Sequence, residues 1–97
     1  MKVFWSNEAL QDREDIWDYI AKDNSIAAAE MDELFSKAAS ILSDQPFLGK
    51  AGKVHGTREF IAHENYRLVY EIHNETVWIL TLIHTSRQWP LNRPTDD

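Results

Sequence analysis

The sequence predicts an α+β fold in which an antiparallel helical hairpin packs on one face of a single sheet. Three observations carry this. Apolar residues in the first half recur at three and four residues, the period of a helix. From Val54 onward the period drops to two, that of a strand. A short apolar stretch, Lys2 to Trp5, precedes the helices. One strand, two helices and then a run of strands is the order of an α+β sandwich.

Each element has its own signal. Lys2 to Trp5 is β-branched and aromatic and reads as a strand. Ser6 is placed as an N-cap, with Glu8 in the first helical turn. Ala9, Arg13, Ile16 and Ile20, flanked by Leu10 and Trp17, keep helical spacing. Asp12, Glu14, Asp15 and Asp18 fall on the remaining face and read as a solvated charge run. Asp23-Asn24-Ser25 breaks this helix and caps the next. There Ala27, Met31, Leu34, Ala38, Ile41 and Leu42 form an amphipathic stripe, with Phe35 in the core. Two helices this close in sequence form an antiparallel hairpin.

Gln45-Pro46 ends the second helix, because the residue before a proline is disfavoured in the helical region. Residues 47–53, with Gly49 and Gly52, read as a loop. Arg58 to His63, Tyr66 to His73 and Thr76 to His84 follow as a three-stranded antiparallel meander. Asn74-Glu75 joins the last two as a tight hairpin. Trp78 to Ile83 is apolar at nearly every position, which predicts a central strand covered on both faces. Trp89-Pro90 is expected to anchor the chain's exit from the sheet. A single domain over 1–97 is expected, with 91–97 as a loose polar tail.

The 97 residues carry a formal net charge of −6. The acidity belongs to residues 1–48, where four basic groups meet ten acidic ones; residues 49–97 hold six of each. Phosphate contacts need Lys and Arg, so a general nucleic-acid binder is disfavoured and no direct DNA binding is expected. The absence of cysteine removes disulfides, a thiol nucleophile and a thiolate metal site. No signal peptide begins at Met1, and no apolar run approaches the roughly 18 residues of a membrane span. A cytoplasmic protein without a membrane partner is expected.

Arginines and histidines are the candidates for a site. Arg67 shares a strand face with Val69 and Glu71, Arg58 shares one with Phe60, and Arg87 follows the last strand. Three guanidinium groups from separate segments that converge on one surface would bind phosphate or carboxylate through paired donors. The alternative is that each pairs with a neighbouring carboxylate, Glu59, Glu64 or Glu71. His55, His63, His73 and His84 lack the spacing of a metal site, although His63 and His73 are placed to face each other across a hairpin. No metal and no cofactor is expected. His84, three residues before Arg87, is either an acid or base near neutral pH or a strand-end residue that bonds a nearby carbonyl. Trp89 is either a plug under the sheet edge or a stacking platform.

Three stretches carry a family likeness: "GTREF" (Gly56 to Phe60), "YRLVYEI" (Tyr66 to Ile72) and "LIHTSRQWP" (Leu82 to Pro90). Together they resemble the RelE/ParE superfamily, the toxin halves of type II toxin–antitoxin modules. The likeness spans nearly the whole chain and implies the same fold. It also implies a cognate antitoxin as partner. RelE-type members cut mRNA on the ribosome with a basic cluster and a tyrosine or histidine. ParE-type members share the fold without the catalytic set, and several poison DNA gyrase.

By this resemblance Arg67 matches the arginine of the "YRLVY" strand and Arg87 the one after the last strand. Arg58 falls at the first lysine of the nuclease branch. The second lysine is replaced by Phe60, the C-terminal tyrosine position falls near Arg93, and the paired "HY" ending is absent. RNA cleavage needs a base for the 2′-hydroxyl and charge stabilisation at phosphorus, and among these residues only His84 offers a base. The resemblance therefore implies a ParE-like inhibitor that binds, with DNA gyrase as target and Arg58, Arg67, Arg87 and Trp89 as target-binding residues. The alternatives are a RelE-like endoribonuclease that uses Arg58, Arg67, Arg87 and His84, and an inactive member that only binds its antitoxin.

Overall fold

The computed structural model describes residues 1–86 and Trp89. Among these the chain runs through β1 (Lys2–Trp5), α1 (Asn7–Ala21), α2 (Ser25–Asp44), β2 (Lys50–Ala51), β3 (Thr57–His63), β4 (Tyr66–His73) and β5 (Thr76–His84). The strands form one sheet in the order β1-β5-β4-β3-β2. β1 runs parallel to β5, with Val3 opposite Val77, and the remaining pairs are antiparallel. The α+β class, the leading strand, the helical hairpin and the meander are as expected. β2 is a correction: the segment read as a loop contributes a two-residue edge strand, Lys50 opposite Glu59 and Ala51 opposite Arg58. Two residues carry no periodicity, so no sequence pattern marks such a strand.

Local chemistry fixes both helix starts. Ser6 Oγ accepts from the Ala9 N–H at 3.0 Å and donates to the Leu80 carbonyl at 2.8 Å, while the Ser6 N–H donates to the Ile79 carbonyl at 2.9 Å. One residue therefore caps α1 and ties it to β5. Asn24 Oδ1 accepts from the Ala27 N–H at 3.0 Å and caps α2. Between the helices Arg13 reaches Asp32 at 2.8 Å from two nitrogens, donates to Ser36 Oγ and lies 4.5 Å over the Trp5 ring. The residue that interrupts the apolar stripe of α1 is thus the clamp joining α1, α2 and β1.

The core gathers Ala9, Phe35, Ala38, Leu42, Leu68, Tyr70, Val77, Ile79 and Leu82. Its α2 contribution is Ala28, Met31, Phe35, Ala38 and Leu42, so the buried stripe is rotated from the expected one and Ile41 is left exposed. On β5 the core residues step by two from Val77 to Ile79 and by three to Leu82. The register explains this: Val69 lies opposite Thr81 and Tyr70 opposite Ile79, leaving Leu80 as the extra residue of a β-bulge. The bulge also explains the nearly continuous apolar run of the strand. Coverage on both faces is incomplete, since Trp78 stays exposed and stacks on Phe4 with ring centroids 5.1 Å apart.

Asp12 completes the bulge. Its Oδ2 accepts from Thr81 Oγ1 at 2.6 Å and from the Leu82 N–H at 3.0 Å. The residue read as part of a solvated charge run is half-buried and satisfies the backbone where the ladder is interrupted. In the β4–β5 turn Asn74 and Glu75 take φ of 51° and 59°, the double left-handed geometry of the tightest hairpins.

Candidate functional site

The pleat separates the candidate residues, because partners in register share a face. Arg58 lies opposite Tyr70, a core residue, so it points to the helix-covered face. Its guanidinium donates to the Gly49 carbonyl at 2.7 Å and the Phe47 carbonyl at 3.3 Å, and sits 5.0 Å over the Phe47 ring. Beside it the Tyr70 hydroxyl donates to the Pro46 carbonyl at 2.8 Å and accepts from the Gly49 N–H at 2.9 Å. Burial pushes the Tyr70 phenol above its ordinary value, against the opposing pull of the Gly49 N–H and the Arg58 charge. Arg58 and Tyr70 together fasten the chain between α2 and β3.

Arg67 lies opposite Ile61 on the outer face, and its Nε is 3.4 Å from Glu59 Oε1. Glu59 was among the carboxylates considered as partners for the arginines, and it takes this role for Arg67. A hollow of about 230 Å³ beside it is lined by Ala51, Lys53, Glu59, Arg67 and Trp89. The structure thus brings Arg67 and Trp89 together and sets Arg58 on the opposite face, so Arg58 and Arg67 do not converge. Arg87 lies outside the described residues, as do Pro90 and the expected tail 91–97. Lys53 was missed by the sequence reading; no pattern marked it until β2 aligned its segment with β3.

His84 closes β5 opposite Tyr66, with ring centroids 5.6 Å apart, whereas Arg67 lies opposite Ile83. The histidine therefore faces away from the Arg67 surface. Its Nδ1 accepts from the Ser86 N–H at 3.2 Å and lies 2.9 Å from Ser86 Oγ. This is a strand-end role, though the bond runs to an amide N–H and not to the carbonyl considered from sequence. A groove of about 550 Å³ runs between α1 and this end of β5 and includes Tyr66, His84, Ser86 and Trp89 in its wall. Burial, with Tyr19 nearby, pushes the Tyr66 phenol up.

His63 lies opposite Tyr66 and His73 opposite Thr76, so the two histidines do not face each other. Among the described residues no cluster of three or more His, Asp or Glu side chains is arranged to hold a metal ion. Nor is any described helix long and apolar enough to cross a membrane. Among the described residues, the outer hollow offers two cations, an indole and a carboxylate, and no histidine lines it.

Residues 3–89 match the model of the ParE toxin of the type II toxin–antitoxin system parDE. The protein Y4kP of Sinorhizobium fredii is 34% identical over 90 residues, which cover 92% of this chain and 93% of that protein. Among solved structures, the chromosomal ParDE toxin–antitoxin system of P. aeruginosa superposes with a TM-score of 0.76 at 17% identity, covering 87% of this chain and 95% of the other. The RelBE2 toxin–antitoxin complex of Mycobacterium tuberculosis gives 0.60 at 27% identity, covering 86% and 95%. The breadth of the family match and the identity to Y4kP decide the assignment: the chain belongs to the ParE toxin family of type II toxin–antitoxin systems.

Proposed function

We propose that this chain inhibits growth in the cytoplasm by holding a large target protein, DNA gyrase, and that a cognate antitoxin neutralises it. The observation that carries the binding mode is the split between Arg67 and His84 across the sheet. Cleavage of RNA needs an acid–base group within hydrogen-bond reach of the atoms whose charge an arginine stabilises. The outer hollow with Arg67, Lys53 and Trp89 is suited instead to an acidic and aromatic protein surface, since Arg and Trp are the residue types that dominate binding energy at interfaces. The antitoxin is supported by its presence in the toxin–antitoxin assemblies that this fold resembles.

The test is pulse labelling of DNA and protein synthesis in parallel after the chain is induced without an antitoxin. Early collapse of DNA synthesis with translation intact is the expected result. Early collapse of translation with cut transcripts would replace this reading by the RelE-like ribonuclease. No effect on either would leave the inactive, antitoxin-binding member.

A further inference from the structure

The groove between α1 and the end of β5 combines two kinds of wall. Ile16, Tyr66, Leu82 and Trp89 supply apolar and aromatic surface, and Glu8, Asp12 and Asp15 stand along one side. Asp12 is committed to the bulge. Glu8 and Asp15 are exposed, and among the described residues Asp15 accepts a hydrogen bond from the Gln11 side chain, at 2.9 Å. The three carboxylates sit at i, i+4 and i+7, so they crowd one stripe of α1, where like charges weaken a helix. Among the described residues no lysine or arginine lines the groove. Arg13 of the same helix is held elsewhere by Asp32 and Trp5. These like charges stand beside an aromatic-walled groove, and a cation entering the groove would relieve their repulsion. A long basic side chain suits both walls: its methylene stem packs on apolar surface, its head meets carboxylates, and a ring face attracts its charge.

We propose that this groove receives an arginine- or lysine-bearing segment of the antitoxin. The inference rests on the reading that the chain has an antitoxin, and charge complementarity selects the segment. Glu8 and Asp15 are the residues that recognise it, and Tyr66 and Trp89 hold its stem.

The experiment compares the wild-type chain with the E8Q/D15N variant, each free and with the antitoxin, across a range of salt concentrations. It also titrates the free chain with Nα-acetyl-arginine amide and with its neutral isostere, Nα-acetyl-citrulline amide, reading the Trp89 indole resonance. The variant is expected to melt no lower than wild type when free. It should bind the antitoxin about tenfold more weakly at low salt, with a flatter dependence of affinity on salt. The arginine amide should shift Trp89 saturably and the citrulline amide should not. Unchanged affinity and salt dependence would overturn the proposal. So would loss of self-association by the variant in sedimentation, which would make a second copy the occupant. If no antitoxin binds the wild-type chain, the functional reading fails, and the proposal of an antitoxin segment falls with it; the arginine-amide titration then still shows whether the groove selects a cation.

Discussion

Replacing Asp12 by alanine separates two accounts of the acidic helix face by sign. A solvated carboxylate among Glu8, Glu14 and Asp15 would be missed by nothing, and its removal would ease repulsion by a few tenths of a kcal/mol. The carboxylate in this structure accepts two hydrogen bonds, at 2.6 Å and 3.0 Å, from Thr81 and Leu82, each only 4% exposed. Bonds to a charged acceptor contribute roughly 1.5–3 kcal/mol each, and a stranded buried donor costs a similar amount. Allowing for the relieved repulsion and for water reaching the groove side, Asp12→Ala should lose about 3 kcal/mol. For a domain of this size that lowers the melting midpoint by about 12–24 °C. Asp12→Asn keeps an acceptor oxygen and should lose about 1 kcal/mol. In the Thr81→Val background one of the two bonds is already gone, so Asp12→Ala should cost about 1 kcal/mol less than in wild type. Urea denaturation followed by circular dichroism measures all four variants. An Asp12→Ala chain as stable as wild type would refute the account of the bulge.

Three further outcomes follow from the same geometry. A Cβ on Gly49 would lie 2.6 Å from the Tyr70 hydroxyl and 2.8 Å from the Glu59 carbonyl, so Gly49→Ala should lose about 1–3 kcal/mol in the same assay. Tyr70 holds its proton to higher pH when folded than when unfolded. Stability should therefore be full below about pH 10 and fall as pH rises beyond it, with Tyr66 acting in the same direction. Tyr70→Phe should lose about 1–3 kcal/mol at neutral pH and flatten that alkaline fall, as read by chemical denaturation across pH. His84→Ala should inhibit growth as wild type does, whereas Arg67→Ala should fold and fail to inhibit. Growth curves on induction check the pair, and loss of inhibition by His84→Ala would point to acid–base chemistry.

The elements were legible wherever periodicity and capping agreed. β1, β4 and β5 fall at their expected bounds, and both caps, Ser6 and Asn24, are where the polar residues placed them. What the sequence hid are departures from periodicity. The Leu80 bulge makes an alternating strand look continuously apolar, and β2 is too short to have a period. Arg13 kept helical spacing with the apolar residues of its stripe, but its clamp to Asp32, 19 residues away in sequence, is visible only once α2 folds back. The candidate residues could be named one by one from the sequence, but their arrangement could not. Arg58 and Arg67 are nine residues apart on neighbouring strands. Whether they share a face depends on the register of a hairpin, and a shift of one residue reverses the answer.

The parallel pairing of β1 with β5 bears on the order of folding. Val3 meets Val77, whereas β4 and β5 meet through a two-residue turn. The β4–β5 hairpin closes a short loop and the helical hairpin is similarly local, so both can form early. The first strand has to wait for the far end of the sheet, and the entropy of that closure makes it a late event. Substitutions in β1 should therefore shorten the lifetime of the folded chain and leave its rate of formation nearly unchanged, while substitutions in the β4–β5 hairpin should slow its formation.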